Sequence, residues 1–219
     1  RGSTSLKSSI GSPLLGTQST IPSTHFLQRD RHPRYRHFKD NTPISNLPLG
    51  PSIPHLTLTV DKPNSTTSHK DTNYFKWLDS QPSRSVLYIS LGSFLSVSIA
   101  QMDEIAAGLR DSGVRYLWVA RGHTSHLQEA CGDMGLVVPW CEQLRVLCAS
   151  SIGGFWTHCG WNSTLESVYA GVPMLTFLIF FDQTLNAKTI VDDWRIGRRV
   201  KSEVWVERLV KREDIARTV

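Results

Sequence analysis

The sequence predicts an α/β domain built on a doubly wound parallel sheet, and three observations lead there. Short apolar stretches recur at about 85–91, 115–120, 135–139, 153–157, 173–178 and 196–200. Between them lie helical segments at about 98–112, 124–131, 142–149, 162–170 and 182–194. Strict strand–helix alternation with short apolar strands implies a parallel sheet covered on both faces. The composition, 40% hydrophobic and 20% charged over 219 residues, is that of a globular chain able to bury one good core or two small ones.

Residues 1–46 are rich in Ser, Thr, Pro, Arg and His and keep no period of either strand or helix. They are expected to form a disordered arm, and the basic cluster from Arg29 to Lys39 is read as solvated. Residues 47–84 are expected to be a linker. Pro48, Pro51 and Pro54 make an extended approach to HLTLTV, an edge-strand candidate, and Asp71 then caps a short helix that docks through Tyr74, Phe75, Trp77 and Leu78. Residues 85–219 carry the alternating pattern. Its first helix opens on the capping box Ser98-Ile99-Ala100-Gln101 and stops at Gly113. Farther on, a glycine pair leads into Phe155, Trp156 and Thr157, a short buried strand. His158, Cys159 and Gly160 make the turn after it. The pattern Ser163-Thr164-Leu165-Glu166 reads as a second capping box, opening a helix that packs Leu165, Val168 and Tyr169 on one face. A last amphipathic segment runs from Val206 to Val219.

Charge and cysteine usage exclude several classes. The net charge of +5 suits an anionic ligand, but no helix carries the basic stripe of a nucleic-acid binder. Cys131, Cys141, Cys148 and Cys159 form no CxxC pair and no secreted disulfide framework, which fits reduced thiols in the cytoplasm. The longest apolar run, Val172 to Phe181, is about half the roughly 20 residues of a spanning helix, so no membrane association is expected. No signal peptide is read at the N-terminus.

In a doubly wound sheet, ligands lie at the carboxyl ends of the strands, so the turns there hold the candidate residues. After the first strand, Gly92 permits close backbone approach and Ser93 offers a hydroxyl. After the third, Trp140 offers a flat aromatic face beside the Gln143 amide, which suits a base and its ribose. After the fourth, His158, Trp161, Asn162 and Ser163 gather at a helix N-terminus, where unpartnered amides and the helix dipole favour an anion such as phosphate. After the fifth, Asp182 and Gln183 could bind sugar hydroxyls or cap the next helix. Each turn alone is ordinary in an α/β protein; the four together read as a site. No GxGxxG follows the first strand, which disfavours a nicotinamide dehydrogenase.

From Trp140 to Gln183 the chain resembles the plant secondary product glycosyltransferase box, the signature of plant UDP-sugar-dependent glycosyltransferases. The likeness rests on Trp140, Gln143, Gly154, Thr157-His158-Cys159-Gly160-Trp161-Asn162-Ser163, Glu166, Gly171-Val172-Pro173 and Asp182-Gln183 at the family's spacing. A looser likeness runs from about Leu47 to the C-terminus, through YFKWLDSQP, SVLYISLGSF and WVAR. The resemblance implies the Rossmann-like C-terminal, donor-binding domain of a GT-B type enzyme. It implies that Trp140 stacks on uracil, that Gln143 and Glu166 hold the ribose, and that His158, Asn162, Ser163 and Ser93 bind the diphosphate. Trp161 would offer its backbone amide to the sugar, and Asp182 and Gln183 would fix its hydroxyls.

The implied reaction moves a hexose, commonly glucose, from UDP to a small acceptor such as a phenolic or terpenoid. UDP-sugar is then a co-substrate, with no cofactor and no metal. The family's histidine base and its aspartate belong to an N-terminal half, so no catalytic residue is assigned here. The chain as it stands is expected to be inactive, and a UDP-sugar binding module or inactive remnant is the competing reading. Three positions depart from the box: Glu142 where Pro is usual, Ala149 where His is usual, and Leu178 where Pro is usual.

Overall fold

The computed structural model describes residue 53 and residues 72–92, 97–179, 183–201 and 209–219. Residues 1–46, the HLTLTV segment, Ser93 and Asp182 lie outside them. The chain divides into two units, Arg1–Pro48 and Leu49–Val219, and every described residue belongs to the second.

The elements are α1 (Thr72–Asp79), β1 (Val86–Ser90), α2 (Ile99–Ser112), β2 (Arg115–Val119), α3 (Thr124–Cys131), β3 (Gly135–Val138), α4 (Gln143–Leu147), β4 (Ile152–Thr157), α5 (Trp161–Ala170), β5 (Met174–Phe177), α6 (Gln183–Lys188), β6 (Gly197–Lys201) and α7 (Arg212–Thr218). The strands form one six-stranded sheet in the order β3-β2-β1-β4-β5-β6, parallel throughout. The chain builds outward from β1 to β3, then returns to place β4 on the other side of β1. That reversal leaves a crevice at the carboxyl ends of β1 and β4, where the loops run in opposite directions.

Successive residues of β1 and β4 serve opposite faces, because side chains alternate along a strand. Tyr88 and Phe155 pack with Tyr74 and Leu78 of α1, Val146 and Leu147 of α4, and Ala187 of α6. Ile89 and Trp156 pack with Met102, Ile105 and Leu109 of α2, Leu127 of α3 and Ile215 of α7. Both layers are required, since a parallel sheet exposes apolar surface on each side.

Local signals set several helix ends. Ser98 caps α2, its hydroxyl accepting from the Gln101 N–H at 3.2 Å, and Gly113 closes the helix at φ 67°. The Gln101 side chain does not complete the box. Its Nε2 donates to the Val210 carbonyl at 3.0 Å and its Oε1 accepts from the Val210 N–H at 2.8 Å, pinning the segment before α7. As expected, α1 docks on the body of the domain, near the start of α4. The Tyr74 hydroxyl accepts from the Glu142 N–H at 3.2 Å, and the Arg145 guanidinium lies 4.5 Å over the Phe75 ring.

Two expectations about α5 are corrected. The helix begins at Trp161 with Gly160 as its N-cap, and no side chain caps it. Ser163 and Glu166 therefore sit within the helix, where both accept from Gln143 Nε2 of α4, Glu166 through the shorter bond to a carboxylate. Tyr169 is exposed, and the buried face is Thr164, Leu165 and Ser167. The helix expected at 182–194 is α-helical only to Lys188; Thr189–Asp193 form a π turn, closed by the Trp194 N–H on the Thr189 carbonyl at 2.8 Å.

Candidate functional site

A cavity of about 450 Å³ opens at the β1/β4 crevice. Its walls come from the ends of four strands, and the phosphate-type corner is built by the turn after β4. Cys159 takes a left-handed backbone, φ 66°, which side chains with a Cβ rarely adopt. The turn is held on both sides: the Cys159 N–H donates to Thr157 Oγ1 at 3.1 Å, and the Cys159 carbonyl accepts from Asn186 Nδ2 at 2.9 Å. The Cys159 side chain is fully buried, and that burial pushes its thiol up to about 12, so it packs as a neutral group.

This reversal brings the His158 ring back over Gly160 and against Gly92. A β-carbon on Gly160 would stand 2.6 Å from His158 Nε2, and one on Gly92 3.1 Å from the same atom. Gly92 also holds φ +96°, a conformation open to glycine. The imidazole thus lies between two bare stretches of backbone, beside the tip of α5. There the Ser163 and Thr164 N–H groups share the Gly160 carbonyl at 2.7 and 3.0 Å, and the end carries no side-chain cap. Partial positive charge at such an end attracts an anion.

The opposite wall holds a polar network. Gln143 Nε2 donates to Ser163 Oγ at 3.0 Å and to Glu166 Oε2 at 2.6 Å, and Gln143 Oε1 accepts from the Tyr88 hydroxyl at 3.2 Å. Cys141 Sγ lies 3.3 Å from the same hydroxyl. Burial pushes the Cys141 thiol up to about 11 and the Tyr88 phenol well above its ordinary value, so both stay protonated. Across the mouth, Trp140 and Trp161 are half exposed, at 50% and 44%, so both present indole surface to the cavity. Arg121, just past β2, adds a guanidinium to the lining.

Of the residues picked out from sequence, Trp140, Gln143, His158, Trp161, Asn162 and Ser163 line this cavity, and Glu166 joins through Gln143. Gln183 is buried, with Oε1 accepting from the Ile179 N–H at 2.8 Å, and is not part of the lining. Ser93 and Asp182 fall outside the described residues. Sequence reading missed Tyr88, Arg121 and Asn186. A phenol between the apolar Leu87 and Ile89 was a usable signal for Tyr88; Asn186 carries none, because its partner lies far away in sequence. Glu142, where the resemblance leads one to expect proline, uses its N–H on Tyr74 and its carboxylate on Arg145 at 2.5 Å. Leu178 is buried in the core and Ala149 packs against it.

Among the described residues, no group of three or more His, Cys, Asp or Glu side chains gathers where a metal could sit, and no helix is long and apolar enough to cross a membrane.

The chain is similar to known proteins over most of its length. UDP-glycosyltransferase 87A2 of Arabidopsis thaliana is 58% identical over 78% of this chain, and Mogroside I-E synthase of Siraitia grosvenorii is 40% identical over 76%. These matches cover 37% and 39% of the relatives, so the chain spans well under half their length. Among solved structures, Os79 from O. sativa in complex with U2F and trichothecene superposes with a TM-score of 0.71 at 33% identity, over 85% of this chain and 42% of that one. Phytolacca americana UGT2 complexed with UDP-2fluoro-glucose and pterostilbene gives 0.61 at 41% identity, over 67% and 34%. Residues 54–209 match the family described as UDP-glucoronosyl and UDP-glucosyl transferase, and the chain belongs to that family.

Proposed function

We propose that residues 85–219 form the UDP-sugar-binding domain of a glycosyltransferase that moves a hexose, glucose for preference, to a small acceptor such as a phenolic or terpenoid. Residues 47–84 are then a linker with its docking helix, and residues 1–46 an arm. One observation carries the reading: an exposed indole, a Gln–Glu pair and an imidazole beside an uncapped helix tip converge on one cavity at the point where strand order reverses.

In that cavity Trp140 covers the uracil and the Gln143–Glu166 pair meets the ribose hydroxyls. His158, Asn162 and Ser163 face the diphosphate, with Ser93 assigned to the same group. Trp161 presents its amide to the hexose, whose hydroxyls are assigned to Asp182, and to Gln183 once its side chain leaves the Ile179 N–H. As the glycosidic bond to UDP breaks, negative charge grows on the diphosphate. The α5 tip and His158 are already oriented toward it, so they stabilise that charge without reorganising, and the reaction is proposed to need neither metal nor cofactor. The reduced cysteines fit a cytoplasmic enzyme that does not act on nucleic acid or membranes.

Calorimetric titration tests the site. Base stacking on an aromatic side chain is worth about 1–3 kcal/mol, so Trp140→Ala should weaken UDP binding roughly five- to 150-fold while leaving inorganic pyrophosphate unaffected. UDP affinity equal to that of the unsubstituted chain refutes the assignment. A coupled assay for UDP release from UDP-glucose with phenolic acceptors separates turnover from binding alone.

A further inference from the structure

The Gln143 amide has two ends that differ chemically but hardly in shape, so whatever fixes its rotation decides what it offers a ligand. Tyr88 sits at the centre of β1, in register with Phe155 of β4, and their rings stack with centroids 4.9 Å apart at 18°. The sheet itself, rather than a loop, delivers the phenol to the cavity floor.

A phenol has one proton to give. Tyr88 gives it to Gln143 Oε1 at 3.2 Å, with Cys141 Sγ 3.3 Å from the phenol oxygen. Gln143 then aims both N–H groups the other way, at Ser163 Oγ and Glu166 Oε2. A flipped amide would set its oxygen against the Glu166 carboxylate, which repels it, and would lose the bond that Gln143 Oε1 accepts from the Tyr88 hydroxyl. The carboxylate excludes the flipped amide, and the phenol bond holds the other end of the group.

We propose that Tyr88 is a positioning residue for ribose recognition: its hydroxyl locks the Gln143 amide so that a ribose diol meets an aligned donor and acceptor. The diol donates to the Glu166 carboxylate and accepts from Gln143 Nε2, replacing the bond between them. Burial, with Cys141 and Glu166 nearby, keeps the phenol protonated and therefore a donor. This rests on the reading of the cavity as a UDP site.

The test compares UDP with 2′,3′-dideoxy-UDP by calorimetry. Tyr88→Phe keeps the stacked ring and removes only the hydroxyl. The unsubstituted chain should prefer UDP, and the variant should lose roughly three- to tenfold of that preference, with dideoxy-UDP binding unchanged, as expected for one neutral hydrogen bond. Gln143→Met should reduce the preference to what the Glu166 carboxylate alone provides, and adding Tyr88→Phe to it should change nothing further. A folded Tyr88→Phe that keeps the full preference overturns the proposal alone. An unsubstituted chain that binds both nucleotides equally, or neither, overturns the site reading and the proposal with it. Independently of any variant, the Gln143 side-chain amide protons should exchange slowly with solvent before UDP is added; exchange at the rate of an exposed amide overturns the lock.

Discussion

Replacing Gly160 by alanine isolates what the His158 seat contributes. Gly160 holds φ −60° and ψ 141°, which alanine adopts freely, so the backbone offers no objection. The added carbon does. It would stand 2.6 Å from His158 Nε2 and 3.0 Å from Cε1. Ordinary carbon contacts lie near 3.5–4.0 Å, so the ring must retreat by about 1 Å. A hydrogen bond from Nε2 to a phosphate oxygen does not survive that displacement, because a contact of about 2.9 Å becomes one near 3.9 Å. Bonds to charged groups contribute about 1.5–3 kcal/mol, which predicts a UDP affinity roughly ten- to a hundredfold weaker. The imidazole is a side-chain end that can swing, so the fold should lose only about 1 kcal/mol, mostly from the poorer N-cap. Gly108→Ala provides the contrast. There the new carbon would meet Ile215 Cγ2 at 2.6 Å and the Arg212 carbonyl at 2.9 Å, forcing α2 from α7. It should lower the unfolding midpoint and leave the UDP Kd unchanged. Titration and thermal unfolding of both variants make the check. Wild-type UDP affinity in a folded Gly160→Ala would refute the reasoning.

The same turn and its buried thiols give two more expected outcomes. Asn186→Ala removes the donor to the Cys159 carbonyl, so a strained residue loses a restraint; stability should fall by about 1 kcal/mol and UDP binding with it, and unchanged denaturant midpoints would show that the turn holds itself. Burial raises the Cys141 and Cys159 thiols to about 11 and about 12 in the folded chain, so above about pH 9 the unfolded chain releases protons that the native chain keeps. Their contribution is complete below the unfolded value and is lost as pH climbs through the folded ones. Unfolding midpoints measured from about pH 8 to 11 should therefore decline, less so in Cys141→Ser; a flat profile counts against the burial of these thiols.

The sequence by itself determined which segments become strands and helices, and which chemical groups stand in the turns. Apolar runs such as VLYIS and RYLWV place the central strands, and Ser98 and Gly113 bound α2, because these signals act between residues a few positions apart. It also placed an indole, an amide and an imidazole after the third and fourth strands, where a parallel sheet offers them to a ligand. What it could not decide was who meets whom. Ser163 and Glu166 have the spacing of a capping box, but the tertiary structure sets Gln143 beside them, 23 positions from Glu166, and both accept from its amide. Asn186 reaches Cys159 across 27 positions, and Gln183 turns its oxygen to the Ile179 N–H. Such pairings depend on β4 inserting next to β1, a choice of strand order made by the packing of two apolar layers together and written in no local pattern.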